Sequence, residues 1–150
     1  RVMENTQIRV YSEQLDAAEG SDTTLHEVLD VAKGVEVYEI DGPFFFGVAT
    51  KFDEIMRSSM SEKPVVRIIR MRRVPFIDAT GVHNLELLVR SSQKLGIHVV
   101  LSGVNEQVHN VLSKAGIEEL VGADHVCDHI TRAVIMANRI AESSARHNML

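Results

Sequence analysis

The spacing of apolar positions changes period several times along the chain, and each change marks an element. Val35–Ile40 (VEVYEI) alternates apolar and polar residues, the pattern of a half-buried strand. Asp41-Gly42-Pro43 supplies turn residues and Phe44–Ala49 (FFFGVA) is a second strand-sized run, so the spacing predicts a hairpin with Phe44 and Phe46 on one face and Phe45 on the other. Over Thr50–Met60 the period becomes helical: Phe52, Ile55, Met56 and Ser59 share a face, and Thr50 and Asp53 stand at capping-box spacing. Val65–Met71 (VVRIIRM), introduced by Pro64, is a β-branched run that predicts a strand. Asp78–Leu95 carries Val82, Leu85, Leu88 and Val89 at helical spacing, with Gly96 placed to end the helix. Ile97–Ser102 reads as a strand, and Asn105–Ala115 as a helix with Val108, Val111, Leu112 and Ala115 inward, closed by Gly116. Val126 lies in a short extended piece, and Asp128–Ala145 is a final helix with Ile130, Val134, Ala137, Ile140 and Ala141 inward.

The chain before Gly34 is less patterned. Glu13–Thr24 (EQLDAAEGSDTT) is acidic and built of small residues, which predicts a loop or linker. Thr24 and Glu27 have capping-box spacing ahead of Val28, Leu29 and Ala32, which predicts a short helix stopped by Gly34. Strand–helix alternation after an opening hairpin gives an α/β fold: a mixed, mainly parallel central sheet covered by about four helices. Phe44, Phe46, Val66, Ile68, Leu85, Leu88, Val100 and Leu112 are the expected core.

Composition mainly excludes. At 150 residues, with 45% apolar and 25% charged, the chain is one ordinary globular domain rather than a disordered or disulfide-stapled one. A net charge of −5 offers no bulk attraction to nucleic acid. The single cysteine, Cys127, has no internal partner for a disulfide. No apolar run approaches the roughly 18–20 residues that cross a bilayer, and Arg1–Asp16 lacks the apolar centre of a signal peptide. Beginning at Arg1 rather than Met, the sequence reads as a piece of something longer. Nucleophile-elbow, Walker and dinucleotide-binding glycine motifs are absent, and the carboxylates scatter without a pair, so no catalytic residues and no cofactor are expected. His125, Cys127 and His129 would share a face only on a strand, whereas Asp128 is expected to open a helix. With no second Cys/His pair at zinc-like spacing, no metal site is expected either.

Most of the remaining information lies in Arg67–Leu88. Here a strand ends, the chain crosses Pro75, and a helix opens at Asp78-Ala79-Thr80-Gly81. Asp78 or Thr80 can cap that helix, and Gly81 lets the backbone pass close to a neighbour. The N–H groups of a helix start also suit an anion, so capping and recognition both stay open for this loop. Arg67, Arg70, Arg72 and Arg73 form the densest positive cluster, with Arg70 and Arg72 on one strand face. Two readings stand: a patch (Arg70, Arg72, Arg73) for docking a membrane domain, lipid headgroups or an acidic protein, or a strand end paired with local carboxylates.

Phe76-Ile77-Asp78-Ala79-Thr80-Gly81, followed by Leu85, resembles the signature loop of STAS domains, which are shared by sulfate permease (SulP) anion transporters and anti-sigma factor antagonists. Gly34–Gly47 (GVEVYEIDGPFFFG) and Arg70–Phe76 (RMRRVPF) resemble the SulP branch, and the likeness runs over roughly residues 34–142. The resemblance implies a linker following a membrane domain at residues 1–33 and a STAS domain at 34–147. It also implies a non-catalytic regulatory role at the cytoplasmic face of the membrane. The implied partners are the transmembrane domain of the same transporter, a second copy in a homodimer, and an acidic protein such as an acyl carrier protein. A free-standing anti-sigma antagonist is the alternative. In that branch the motif resembles Asp-Ser-Ser-Gly and its first serine is phosphorylated; Ala79 stands there and has no hydroxyl, while Thr80 keeps one at the second position.

Overall fold

The structure is a computed structural model that describes residues 6–19, 27–44, 51, 54–55 and 63–148. Phe45–Ala49 and most of the expected helix over Thr50–Met60 lie outside the described residues; Lys51, Glu54 and Ile55 are helical.

Seven strands and four α-helices are described. They are β1 (Gln7–Tyr11), β2 (Gln14–Asp16), β3 (Val28–Asp30), β4 (Val35–Asp41), β5 (Val66–Arg73), α1 (Ala79–Lys94), β6 (His98–Ser102), α2 (Glu106–Lys114), α3 (Ile117–Val121), β7 (Val126–Cys127) and α4 (Ile130–Asn148). The main sheet has the order β1-β4-β5-β6-β7, and β2 and β3 form a separate two-stranded sheet. β4 through β7 run parallel and β1 joins antiparallel at the edge. The mixed, mainly parallel sheet covered by helices is the architecture that strand–helix alternation predicts.

Side-chain alternation divides the core between the two faces of the sheet. Tyr38, Ile40, Ile69, Met71, Val99 and Leu101 face α1, α2 and α3, meeting Leu85, Leu88, Val108, Leu112 and Ile117. Val35, Val37, Val66, Ile68 and Val100 face α4, meeting Ile130, Ala133, Val134, Ala137 and Ala141. Of the expected core, Phe44, Val66, Ile68, Leu85, Leu88, Val100 and Leu112 are buried; Phe46 lies outside the described residues.

The N-terminal third departs from the sequence reading. β4 does not form a hairpin with the chain that follows it, because β1 and β5 occupy its two edges. Phe44 instead makes a parallel bridge to Ile77. Ile8 and Val10 of β1 pair with Ile40 and Tyr38 and pack onto the α1 face. Val28–Asp30 is a strand, not the start of a helix, and its partner Gln14–Asp16 lies inside the stretch expected to be irregular. Their local propensity yields to burial. Leu15, Ala17 and Val31 close the α4 face of the core, and Asn138 of α4 accepts from the Ala32 N–H at 2.9 Å and donates to the Asp30 carbonyl at 3.2 Å.

Candidate functional site

The loop between β5 and α1 lies at the carboxyl edge of the parallel strands. Asp78 is the N-cap of α1: its backbone is extended, and its Oδ1 accepts the Gly81 N–H at 2.7 Å. Asp78, Ala79 and Thr80 are exposed, while Gly81 is buried. Gly81 is helical, so positive φ is not what it provides. A Cβ there would stand 2.2 Å from the Phe44 carbonyl oxygen and 2.9 Å from Ile77 Cγ1. The glycine lets the chain after β4 press against the first turn of α1, where the Phe44 N–H donates to the Phe76 carbonyl at 3.4 Å. Asn105 secures the loop from the other side. Its Oδ1 caps α2 through the Val108 N–H at 2.8 Å, while its Nδ2 donates to the carbonyls of Val74 and Pro75 at 3.4 and 3.2 Å. The sequence reading begins a helix at Asn105 but carries no sign of either duty.

The tip so held is rigid at its roots and open at its surface. Phe76, Ala79, Thr80, His83 and Leu87 are exposed along one side of the loop and α1. Phe76 and Leu87 are large apolar side chains, 39% and 52% exposed. Thr80 is exposed in the first turn of α1, where the leading N–H groups lack intrahelical partners.

The arginine cluster is not a surface patch. Arg67 faces α1, with its guanidinium 5.3 Å from the Tyr38 ring centroid and its Nη1 donating to Ser92 Oγ at 2.6 Å. Arg70 and Arg72 face the α4 side and are buried, with side chains 0% and 6% exposed. The hydrophobic cover that the Gln14–Asp16 strand brings with it lays acidic groups across them. Arg72 donates to Glu39 at 2.7 Å, to Asp16 at 3.3 Å and to the Ala18 carbonyl at 2.6 Å. Arg70 donates to that same carbonyl and to Glu19. Arg73, 49% exposed, is the member of the expected docking patch that reaches solvent, and it too lies 3.6 Å from Glu39.

The electrostatics follow this packing. Burial pushes the Arg70 guanidinium below its ordinary pKa, and neighbouring Arg72 adds to the shift. Burial acts the same way on Arg72, but Glu39 and Asp16 outweigh it and hold its pKa up. Burial would raise the Asp16 carboxyl, yet the Ala18 amide together with Arg72 and Arg70 holds it below the usual range.

His125, Cys127 and His129 are not brought together. His125 sits in a short 3-10 turn with its Nδ1 bonded to the Val99 carbonyl at 3.1 Å, and the His129 Nδ1 accepts the Thr131 N–H at 3.1 Å. Cys127 is buried on β7, where burial raises its thiol pKa. Among the described residues no group of His, Cys, Asp and Glu could hold a metal ion.

A STAS domain family model matches residues 28–133 of the chain, from β3 into α4. The chain belongs to the STAS domain family. Its STAS fold is similar to that of a sulfate transporter family protein from Wolinella succinogenes, at 44% identity and TM-score 0.71, covering 76% of this chain and 93% of that one. It is also similar to the SulP transporter STAS domain of Vibrio cholerae, at 37% identity and TM-score 0.59, covering 76% of this chain and 84% of that one. Sulfate transporter 1.3 of Arabidopsis thaliana is 30% identical over 112 residues, 67% of this chain but 17% of the plant protein. The chain thus spans less than a fifth of the length of the curated relatives it matches. Among the described residues no helix is long and apolar enough to cross a membrane.

Proposed function

We propose that this STAS domain is the regulatory part of a SulP-type anion transporter and works by docking, without catalysis of its own. The observation that carries the reading is the loop: a rigidly anchored helix start whose exposed tip, Asp78–Thr80, continues into Phe76 and Leu87, on a scaffold similar to sulfate-transporter STAS domains. Apolar side chains left exposed beside a fixed polar tip suit a protein partner, here the transmembrane domain of the same transporter at its cytoplasmic face. Occupancy of the loop would bias the transporter between states through its differential affinity for them. Since Arg70 and Arg72 are covered, an acidic partner would meet Arg73 and not the full cluster.

Ala79 removes the hydroxyl that partner switching by phosphorylation uses, which favours docking over a phosphorylation switch at that position. The test pairs Thr80→Glu in the full-length transporter with thermal unfolding of the isolated chain. A carboxylate at a helix start should cost the fold no more than about 1 kcal/mol. Anion uptake into vesicles should fall while the protein level and the unfolding midpoint hold. Unchanged uptake at normal protein level would leave the loop as a cap and nothing more.

A further inference from the structure

Arg70 is the most fully buried charge among the described residues, and its donors are poorly used. Among the described residues, Nη2 of its three guanidinium nitrogens is the one engaged, by the Ala18 carbonyl and by one oxygen of Glu19 at 3.2 Å. Nε and Nη1 are buried, and among the described residues no group accepts from them. One strand away in register and on the same face, Ser102 Oγ is likewise buried without a partner. Buried donors are almost always satisfied, so two such groups on one face of neighbouring strands call for a physical explanation.

The geometry supplies one. A guanidinium binds an oxyanion best through two parallel N–H donors, along the Nε/Nη2 edge or the Nη1/Nη2 edge. Both edges of Arg70 are half filled, since Glu19 reaches Nη2 through a single oxygen. Glu19 lies at the mouth of the cluster, with its side chain 23% exposed, whereas the neighbouring Ala17 is 1% exposed and anchored in the core. The Glu19 carboxylate can therefore swing away without unseating the strand pair behind it. Arg72 adds a second positive charge against the same Ala18 carbonyl. Both Glu39 oxygens are already engaged by Arg72, and one of them also faces Arg73.

We infer that Arg70, backed by Arg72 and Ser102, is a binding site for a small free oxyanion, and that the Glu19 carboxylate holds the place of that ligand in this structure. The depressed pKa of Arg70 fits a charge its present neighbours under-serve. The inference is independent of which solute any transporter domain carries, and its test needs only this chain.

The experiment titrates sodium sulfate into the folded 150-residue chain and follows the Arg70 side-chain Nε–H resonance, with sodium chloride at matched ionic strength as the control. Sulfate should shift the resonance saturably and chloride should not. Glu19→Gln removes the competing carboxylate and should tighten the apparent sulfate Kd roughly fivefold, the scale of a partly exposed ion pair. Arg70→Lys keeps the charge but loses the fork and should abolish saturation, which is read from the Ser102 amide. Equal Kd values for wild type and Glu19→Gln would overturn the inference, as would a response that chloride reproduces. Should Arg70→Lys fail to fold, the Glu19→Gln comparison decides alone.

Discussion

Replacing Gly81 with alanine adds one methyl group at a point where two opposing terms can be weighed. On helix propensity alone the change stabilises α1 by about 0.8–1.0 kcal/mol. The new Cβ, however, would stand 2.2 Å from the Phe44 carbonyl oxygen, a backbone atom that cannot rotate away, and 2.9 Å from Ile77 Cγ1. Relief requires moving the segment after β4 away from α1, which strains the parallel bridge between Phe44 and Ile77. Over-packing of this kind costs about 1–3 kcal/mol, and weakening a backbone hydrogen bond costs about 1 kcal/mol more. The cost exceeds the propensity gain, so Gly81→Ala should lose about 1–3 kcal/mol net. For a chain of this length that lowers the unfolding midpoint by about 2–12 °C. Urea denaturation followed by far-UV circular dichroism measures the loss, and faster amide exchange at Phe44 locates it. A Gly81→Ala protein as stable as wild type, or more so, would show that propensity wins and that the close approach does not hold the loop.

Leu88 is 5% exposed between α1 and the sheet, so Leu88→Ala should cost about 2–5 kcal/mol in urea denaturation; a loss under about 1 kcal/mol would contradict its place in the core. Asn105→Asp keeps the α2 cap but removes the donor to Val74 and Pro75, whereas Asn105→Ala removes both. Both should speed amide exchange over Phe76–Thr80, and the alanine variant should lose about 1 kcal/mol more stability; equal losses would mean that the cap contributes nothing. The Asp16 carboxyl is held below its ordinary value of 3.8 in the folded chain, so its contribution is present above that pH and lost as pH falls through the lower folded value. Asp16→Asn should therefore be less stable than wild type at neutral pH and converge with it under acid; a constant gap would sink that assignment.

Periodicity alone determined much of this protein. Val35–Asp41, Val66–Arg73 and His98–Ser102 are strands, and Ala79–Lys94, Glu106–Lys114 and Ile130–Asn148 are helices, because each repeats its apolar positions long enough to bury one face. Asp78, Gly96 and Gly116 marked helix ends from local chemistry that needs no distant partner. What escaped was non-local. β1, β2 and β3 are three to five residues long with one to three apolar positions each, too few to show a period; β1 is a strand because it pairs the edge of β4 away from β5, and β2 and β3 because the α4 face needs a cover. α3 is a single short turn with the same deficit. The arginines show the cost of reading charge locally. A strand carrying Arg70 and Arg72 looks like a wet surface until Asp16, Ala18 and Glu19 arrive from more than fifty residues away. Periodicity reports which side of an element is apolar, but the burial of a charge depends on what lies opposite it, and tertiary structure alone supplies that.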